Sequence, residues 1–132
     1  MAQQKAIELI LTRQLASYLV MPTFIVDADG TLVFYNEPAE RILGTRFEES
    51  GELPADEWST VFRPTDADGR PLPPNRVPLM IAVAERRPAH ADFWIEGLDG
   101  VRRHVGATAF PLMAHADRFL GAVAVFWETA KP

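Results

Sequence analysis

Histidine, cysteine and paired carboxylates carry most enzyme and metal chemistry, and this sequence offers few of them at useful spacings. Its only histidines, His90, His104 and His115, do not share a metal-ligand spacing such as two positions on one helical face. The chain contains no cysteine, which excludes disulfides, thiolate zinc sites, iron–sulfur clusters and thiol nucleophiles. We therefore expect solvated histidines and no metal site.

The carboxylates do not form a catalytic pattern either. Asp92 and Glu96 are predicted to leave one strand face on either side of Trp94, but glycosidase-like work needs two carboxyl groups across a cleft. No serine lies in a Gly-x-Ser-x-Gly turn. The segment Asp-Ala-Asp-Gly occurs at 27–30 and again at 66–69, without the further ligands of a calcium loop, and is read as a turn. We predict no catalytic residue and no enzyme.

Length and charge narrow the class of protein. The 132 residues fit one domain, and 48% hydrophobic with 23% charged residues is typical of a globular chain. A formal charge of -5 has the wrong sign for binding nucleic acid. The N-terminus lacks the pattern of a signal peptide, and no apolar run reaches the roughly 18 residues of a membrane span. We expect a cytoplasmic protein with neither a nucleic-acid nor a membrane partner.

The first half of the chain predicts helices around a hairpin. Apolar spacing predicts an amphipathic helix over 4–20, ended by Pro22. Strands over 23–26 and 32–35 flank an Asp-Gly turn, and Asn36 is placed to cap a short helix over 37–43 that stops at Gly44. Residues 45–74 are predicted to be mostly loop, with one helical turn near 56–62.

The second half predicts one helix and a meander. A longer helix over 76–87 is expected, with Asn75 as its cap and Val77, Met80, Ile81 and Ala84 on one stripe. Strands follow over 89–97, 101–112 and 120–128, the first two joined by a tight turn at 98–100. The pattern indicates an α+β domain with a single antiparallel sheet.

Two stretches resemble one known family. The first runs from Ile25-Val26-Asp27 through Asp29-Gly30, Leu32, Asn36 and Ala39 to Ile42-Leu43-Gly44, and looks like the opening of a PAS domain. The second joins Asp99-Gly100, Pro111-Leu112 and residues 121–128, and is similar to the closing strands of that family. The resemblance spans about residues 22–128, which leaves 1–21 as an N-terminal dimerisation helix and 129–132 as a tail.

The resemblance implies a five-stranded antiparallel sheet in the order 2-1-5-4-3, with helices over one face around a small cavity and the N-terminal helix on the other. Haem-binding members generally take a histidine from the long helix, and residues 76–87 contain none. The light-sensing flavin branch requires a reactive cysteine, which is absent here. We expect neither haem nor flavin, although noncovalent flavin binding is left open. The Asp-Ile-Thr-like ending before a signalling helix is also absent, so a stand-alone module is expected.

Strand alternation, with the register that the resemblance suggests, divides the sheet into two faces. Four inward alanines leave space that is filled either by bulky residues of the helical cover or by a small, largely apolar ligand. The predicted pocket residues are Asn36, Leu43, Trp58, Phe62, Met80, Val83, Phe93, Ile95, Val105, Ala107, Ala109, Ala122, Ala124 and Phe126.

The other face is predicted to be an apolar patch too large for a monomer to expose. Its predicted cover is the stripe of the N-terminal helix, packed on its own sheet or on that of a second copy in a homodimer. The residues of this predicted interface are Ile7, Leu11, Leu15 and Leu19 on the helix, and Trp94, Phe110, Val123, Val125 and Trp127 on the sheet.

Three functions are consistent with these patterns. The first is a sensor that binds a small apolar ligand and signals through dimerisation or a partner in trans. The second is an interaction module without a ligand, whose cavity is filled by side chains. The third is a small cone-shaped isomerase, which needs an acidic base deep in the pocket that the inward strand positions do not supply.

Overall fold

The computed structural model describes residues 7–61, 63–97 and 99–129. Five strands form one antiparallel sheet in the order β2-β1-β5-β4-β3, as predicted. Their bounds are β1 Thr23–Asp27, β2 Leu32–Tyr35, β3 Ala89–Glu96, β4 Arg102–Ala114 and β5 Arg118–Glu128. The last two strands run longer than predicted, because their pairing continues to Ala114 and Arg118 beyond a bulge at Leu112 and Met113.

The helices are α1 Ile7–Ala16, α2 Glu37–Leu43, α3 Phe47–Ser50, α4 Ala55–Val61 and α5 Pro78–Glu85, with single 3₁₀ turns at Pro74–Arg76 and His115–Asp117. The short helix α3 lies where a loop was predicted. Helix α5 begins at Pro78 rather than Arg76, and its N-cap position is Val77, so Asn75 caps nothing. Proline suits the first turn of a helix. The buried residues of α5 are Pro78, Leu79, Ile81 and Ala82, so Ile81 of the predicted stripe is buried, whereas Met80 is half-buried and Ala84 is exposed.

The sheet faces separate two apolar clusters. The larger cluster lies between the sheet and helices α2, α4 and α5, and contains all eight inward positions predicted on the last three strands: Phe93, Ile95, Val105, Ala107, Ala109, Ala122, Ala124 and Phe126. The smaller one lies under α1 and joins Leu9 and Ala16 to Ile25, Val33 and Val123. The sheet is therefore covered on both sides, completely on the first and partly on the second.

Asn36 joins three elements at the junction of these clusters. Its Oδ1 accepts bonds from the backbone N–H groups of Ala39 (3.2 Å) and Thr23 (3.0 Å), which caps α2 and fixes the start of β1. Its Nδ2 donates to the carbonyl groups of Ala16 and Met21, each at 2.9 Å. The side chain is buried, and these four bonds use the full capacity of its amide.

This anchor explains where the N-terminal helix ends and which of its sides packs on the sheet. Helix α1 ends at Ala16, not near residue 20, because Asn36 binds the Ala16 carbonyl and the chain then turns towards β1. Leu9 and Ala16 face the sheet, so the predicted stripe of Ile7, Leu11, Leu15 and Leu19 does not pack on its own subunit. These four side chains are 39–67% exposed.

Arg13 and Tyr35 connect α1 and α3 to the second strand. The Arg13 guanidinium lies over the rings of Phe34 (4.8 Å) and Phe47 (5.5 Å), which also fixes the rotation of α1. The buried Tyr35 hydroxyl lies 3.2 Å from the Thr45 carbonyl oxygen and 2.9 Å from Ser50 Oγ. Burial, the largest cause, raises the pKa of Tyr35 above its ordinary value.

The two Asp-Ala-Asp-Gly segments are turns of the same construction, as predicted. Asp27 Oδ1 accepts bonds from the N–H groups of residues 29 and 31, and Asp66 Oδ1 accepts from those of 68 and 70. The bond from the Arg70 N–H is the main reason that the pKa of Asp66 is lowered. Both carboxylates are therefore used as turn acceptors.

We expect Asn36→Ala to lower the free energy of unfolding by about 3 kcal/mol, because it removes an N-cap and leaves buried backbone groups without partners. The matched control is Asn75→Ala, at an exposed asparagine that caps nothing, which should change it by less than about 0.5 kcal/mol. Urea unfolding followed by tryptophan fluorescence measures both. Equal effects would contradict the role of Asn36.

The raised pKa of Tyr35 predicts that the protein loses stability at alkaline pH. The unfolded chain releases the phenolic proton near pH 10 while the folded chain still holds it, so the free energy of unfolding falls as the pH rises above about 10. We expect Tyr35→Phe to flatten this slope, and Tyr18→Phe, at a side chain 79% exposed, to leave it unchanged. Urea titrations between pH 8 and pH 11 test it, and an unchanged slope in Tyr35→Phe would refute it.

Candidate functional site: an apolar cavity and a half-covered sheet face

A cavity of about 50 Å³ lies between the sheet and the helical cover. Its walls come from β1, α2, α4, the start of α5 and strands β3 to β5. The lining residues are Phe24, Leu43, Trp58, Pro64, Val77, Pro78, Leu79, Phe93, Ile95, Val105, Ala107, Ala124 and Phe126. None of them carries a charge, so an ionised group placed there would lose its hydration without gaining a partner.

Eight predicted pocket residues line this cavity: Leu43, Trp58, Phe93, Ile95, Val105, Ala107, Ala124 and Phe126. Ala109 and Ala122 lie in the same core away from the cavity, and Met80 and Val83 pack against the core half-buried. Asn36 is not in the lining, and its amide is fully hydrogen-bonded within the protein, so it is removed from the candidate pocket. Phe62 lies outside the described residues.

Five lining residues were not predicted: Phe24, Pro64, Val77, Pro78 and Leu79. Phe24 could have been predicted from the alternation along β1, because it lies on the same face of the strand as the buried Val26. Pro78 and Leu79 were missed because Met80 rather than Leu79 was assigned to the inward stripe. Val77, at the N-cap of α5, lay on that stripe but was not assigned to the pocket. Pro64 follows α4 in a loop, where no periodicity indicates a face.

The volume decides what the cavity accepts as it stands. Ligand pockets usually measure about 300–1,000 Å³, and about 150 Å³ is enough for benzene. The lining residues include no charged side chain and no histidine.

The outer face of the sheet is only partly covered. Helix α1 crosses β1, β2 and β5, and buries Val123. The rest, which we call the open half-sheet, carries Trp94, His104, Phe110 and Trp127 on β3, β4 and the end of β5. Phe110 is 40% exposed, and the two tryptophans and Val125 are half-buried.

Aromatic side chains lie flat across the open half-sheet. Trp127 covers Gly106, where any Cβ would lie 2.8 Å from the indole ring, so only glycine allows this packing. The Trp127 ring stacks on His90 at 5.9 Å, and Trp94 meets His104 edge to face at 5.0 Å. His90 and His104 therefore contact aromatic rings on the protein surface. The described residues include no group of three or more metal-ligating side chains.

Exposed apolar side chains lie on the open half-sheet, on α1 and on the turn after it. Beyond the four of the predicted stripe they include Ile10, Tyr18, Val20, Phe110 and Met113. Within the part of the chain described, no helix is long and apolar enough to span a bilayer. The exposed apolar surface and the cavity are the two candidate functional features.

The two kinds of core alanine give a test of the cavity. We expect Ala107→Val, whose added methyl groups enter the cavity, to change the free energy of unfolding by less than about 1 kcal/mol. Ala109→Val, in the same strand but away from the cavity, should lower it by about 1–3 kcal/mol through overpacking. Urea unfolding of both variants makes the comparison, and equal losses would mean that the space beside Ala107 does not exist.

Comparisons with known proteins agree on the fold. No protein-family model and no curated protein matches the chain. The PAS domain of BvgS from Bordetella pertussis is 15% identical, with a TM-score of 0.62 over 94% of this chain and 87% of that one. The Rhodobacter sphaeroides LOV protein is 14% identical, with a TM-score of 0.73 over 96% and 70% of the two chains.

A third similar structure is the PAS domain of nitrogen regulation protein NR(II) from Vibrio parahaemolyticus. It is 15% identical, with a TM-score of 0.62 over 90% of this chain and 98% of that one. These three structures are 14–15% identical to this chain and match 90–96% of it, with TM-scores of 0.62–0.73. The chain has the PAS fold, as its opening and closing motifs predicted.

Proposed function

We propose that this chain is a PAS-type signalling module that acts as a homodimer through α1 and the open half-sheet. The observation that carries the proposal is the exposed apolar surface of α1, where Ile7, Leu11 and Leu15 are each more than half exposed. Monomeric proteins rarely leave a large contiguous apolar surface in water, and such surfaces usually mark an interaction site.

A second copy fits this surface better than an unrelated partner does. Among the described residues, nothing covers the apolar stripe of α1, and no helix lies on the open half-sheet beside it. A two-fold axis brings the stripe of each copy onto the open half-sheet of the other, so both surfaces are buried at once. The aromatic rings of Trp94, Phe110 and Trp127 are of the type enriched at interface centres.

Signalling then depends on how the two subunits are arranged. Helix α1 is connected to the inner helices through Asn36, which bonds both the end of α1 and the start of α2. A change in the inner cover can therefore reach the proposed interface along a short chain of hydrogen bonds. A cytoplasmic location and a further partner in trans stay predictions from the sequence.

A sensor with a small apolar ligand is the second candidate function, and the cavity favours it. The walls are apolar, and the alanines at 107 and 124 leave space. At about 50 Å³ the cavity is smaller than a metabolite of ordinary size, so a ligand requires the cover to move. The isomerase alternative loses support, because no carboxylate or tyrosine is among the lining residues.

Charge substitutions test the proposed interface. The wild-type chain should have twice its 14.7 kDa mass in light scattering at micromolar concentration, and Leu15→Glu or Phe110→Glu should reduce it to 14.7 kDa, because a buried unpaired charge is costly. The matched control is Val101→Glu, at a residue 45% exposed in the β3–β4 hairpin, which should leave the mass doubled. A wild-type mass of one chain would refute the proposal.

A further inference from the structure

A surface groove of about 550 Å³ lies directly outside the core cavity. It runs between the segment 63–74, the first turns of α5 and the end of β3. Trp58, Pro64 and Val77 line both the groove and the cavity, so these three side chains form the wall between them. The groove has the volume of an ordinary ligand pocket, whereas the cavity does not.

One side of the groove is held firmly. Thr65 exchanges two backbone hydrogen bonds with Trp94 on the edge strand β3, at 2.7 and 2.9 Å. Arg102 donates to the Asp66 carbonyl at 2.7 Å and to Thr65 Oγ1 at 3.3 Å, with its guanidinium 4.5 Å from the centre of the Trp94 ring. The loop at 64–72 is thereby joined to the sheet and covers its edge.

The opposite side depends on Trp58. Its indole is buried, and one hydrogen bond, from Nε1 to the Gly30 carbonyl at 2.9 Å, holds its polar edge. Rotation of the Trp58 side chain breaks this hydrogen bond and leaves the loop at 64–72 in place. Of the three shared wall residues, Trp58 has the largest side chain, so its rotation leaves the largest opening.

We propose that the groove and the cavity form one binding site with Trp58 as its gate, for an elongated neutral molecule with one apolar end. The apolar end enters the uncharged cavity, which excludes an ionised group. The other end stays in the groove, where Arg63, Thr65 and Glu96 supply charges of both signs and a hydroxyl. The inference rests on the second candidate function and is independent of pairing.

Straight-chain alcohols are the probe for this site. In wild-type protein, octanol followed by ¹H–¹⁵N NMR should shift groove amides and cavity-strand amides together: Thr65, Leu72, Glu96, Val105, Ala107 and Ala124. In wild-type protein, octanol binds only the fraction of molecules in which the Trp58 side chain has rotated out of the wall. Trp58→Leu removes this barrier, so octanol should bind about tenfold tighter or more.

The matched control is Phe119→Leu, which removes an aromatic ring outside the groove, the cavity and the proposed interface, and should change octanol affinity by less than about twofold. Shifts confined to the groove or to the outer face in wild-type protein would overturn the proposal, as would equal affinities of the two leucine variants. The wild-type mapping keeps the test valid if Trp58→Leu does not fold. The molar mass of the same samples reports pairing separately, so failure of one proposal is distinguishable from failure of the other.

Discussion

The fold depends on one buried amide. Asn36 accepts from the backbone at the start of β1 and of α2, and donates to the backbone at the end of α1 and of the turn that follows it. A buried amide is stable only when its hydrogen bonds are made, so the three elements are held in one arrangement. This constraint stops α1 at Ala16 and turns Leu9 towards the sheet, which leaves the more apolar stripe of α1 facing outwards.

Helices consequently cover more of the inner face of the sheet than of the outer face. The inner face is closed by helices over a nearly filled core, with about 50 Å³ left beside the small alanines of β4 and β5. Over the described residues, α1 packs on β1, β2 and β5 and leaves β3 and most of β4 uncovered on the outer face. In the proposed function, a ligand would occupy the space under the inner face, and the outer face would transmit the change to a second subunit.

Much of this was predictable from the sequence, where a local signal was strong. Alternation on the last three strands separated Ala107 and Ala124 from Trp94 and Trp127, because one face of the sheet is buried. Asn36 was predicted as a cap from its place before a helix, but its bonds to Ala16 and Met21 join residues far apart in sequence and leave no local pattern. The side of α1 that packs, and the start of α5, were set by such tertiary contacts.

Contacts between subunits test the central claim, that α1 of one subunit lies on the open half-sheet of another. An isotope-filtered NOE experiment on mixed labelled and unlabelled chains detects only such contacts. The account predicts cross-peaks from the methyl groups of Leu11 and Leu15 to the rings of Phe110 and Trp127 of a second chain. Intermolecular cross-peaks from α5 or from the surface groove beside Trp58, with none from α1, would contradict this arrangement.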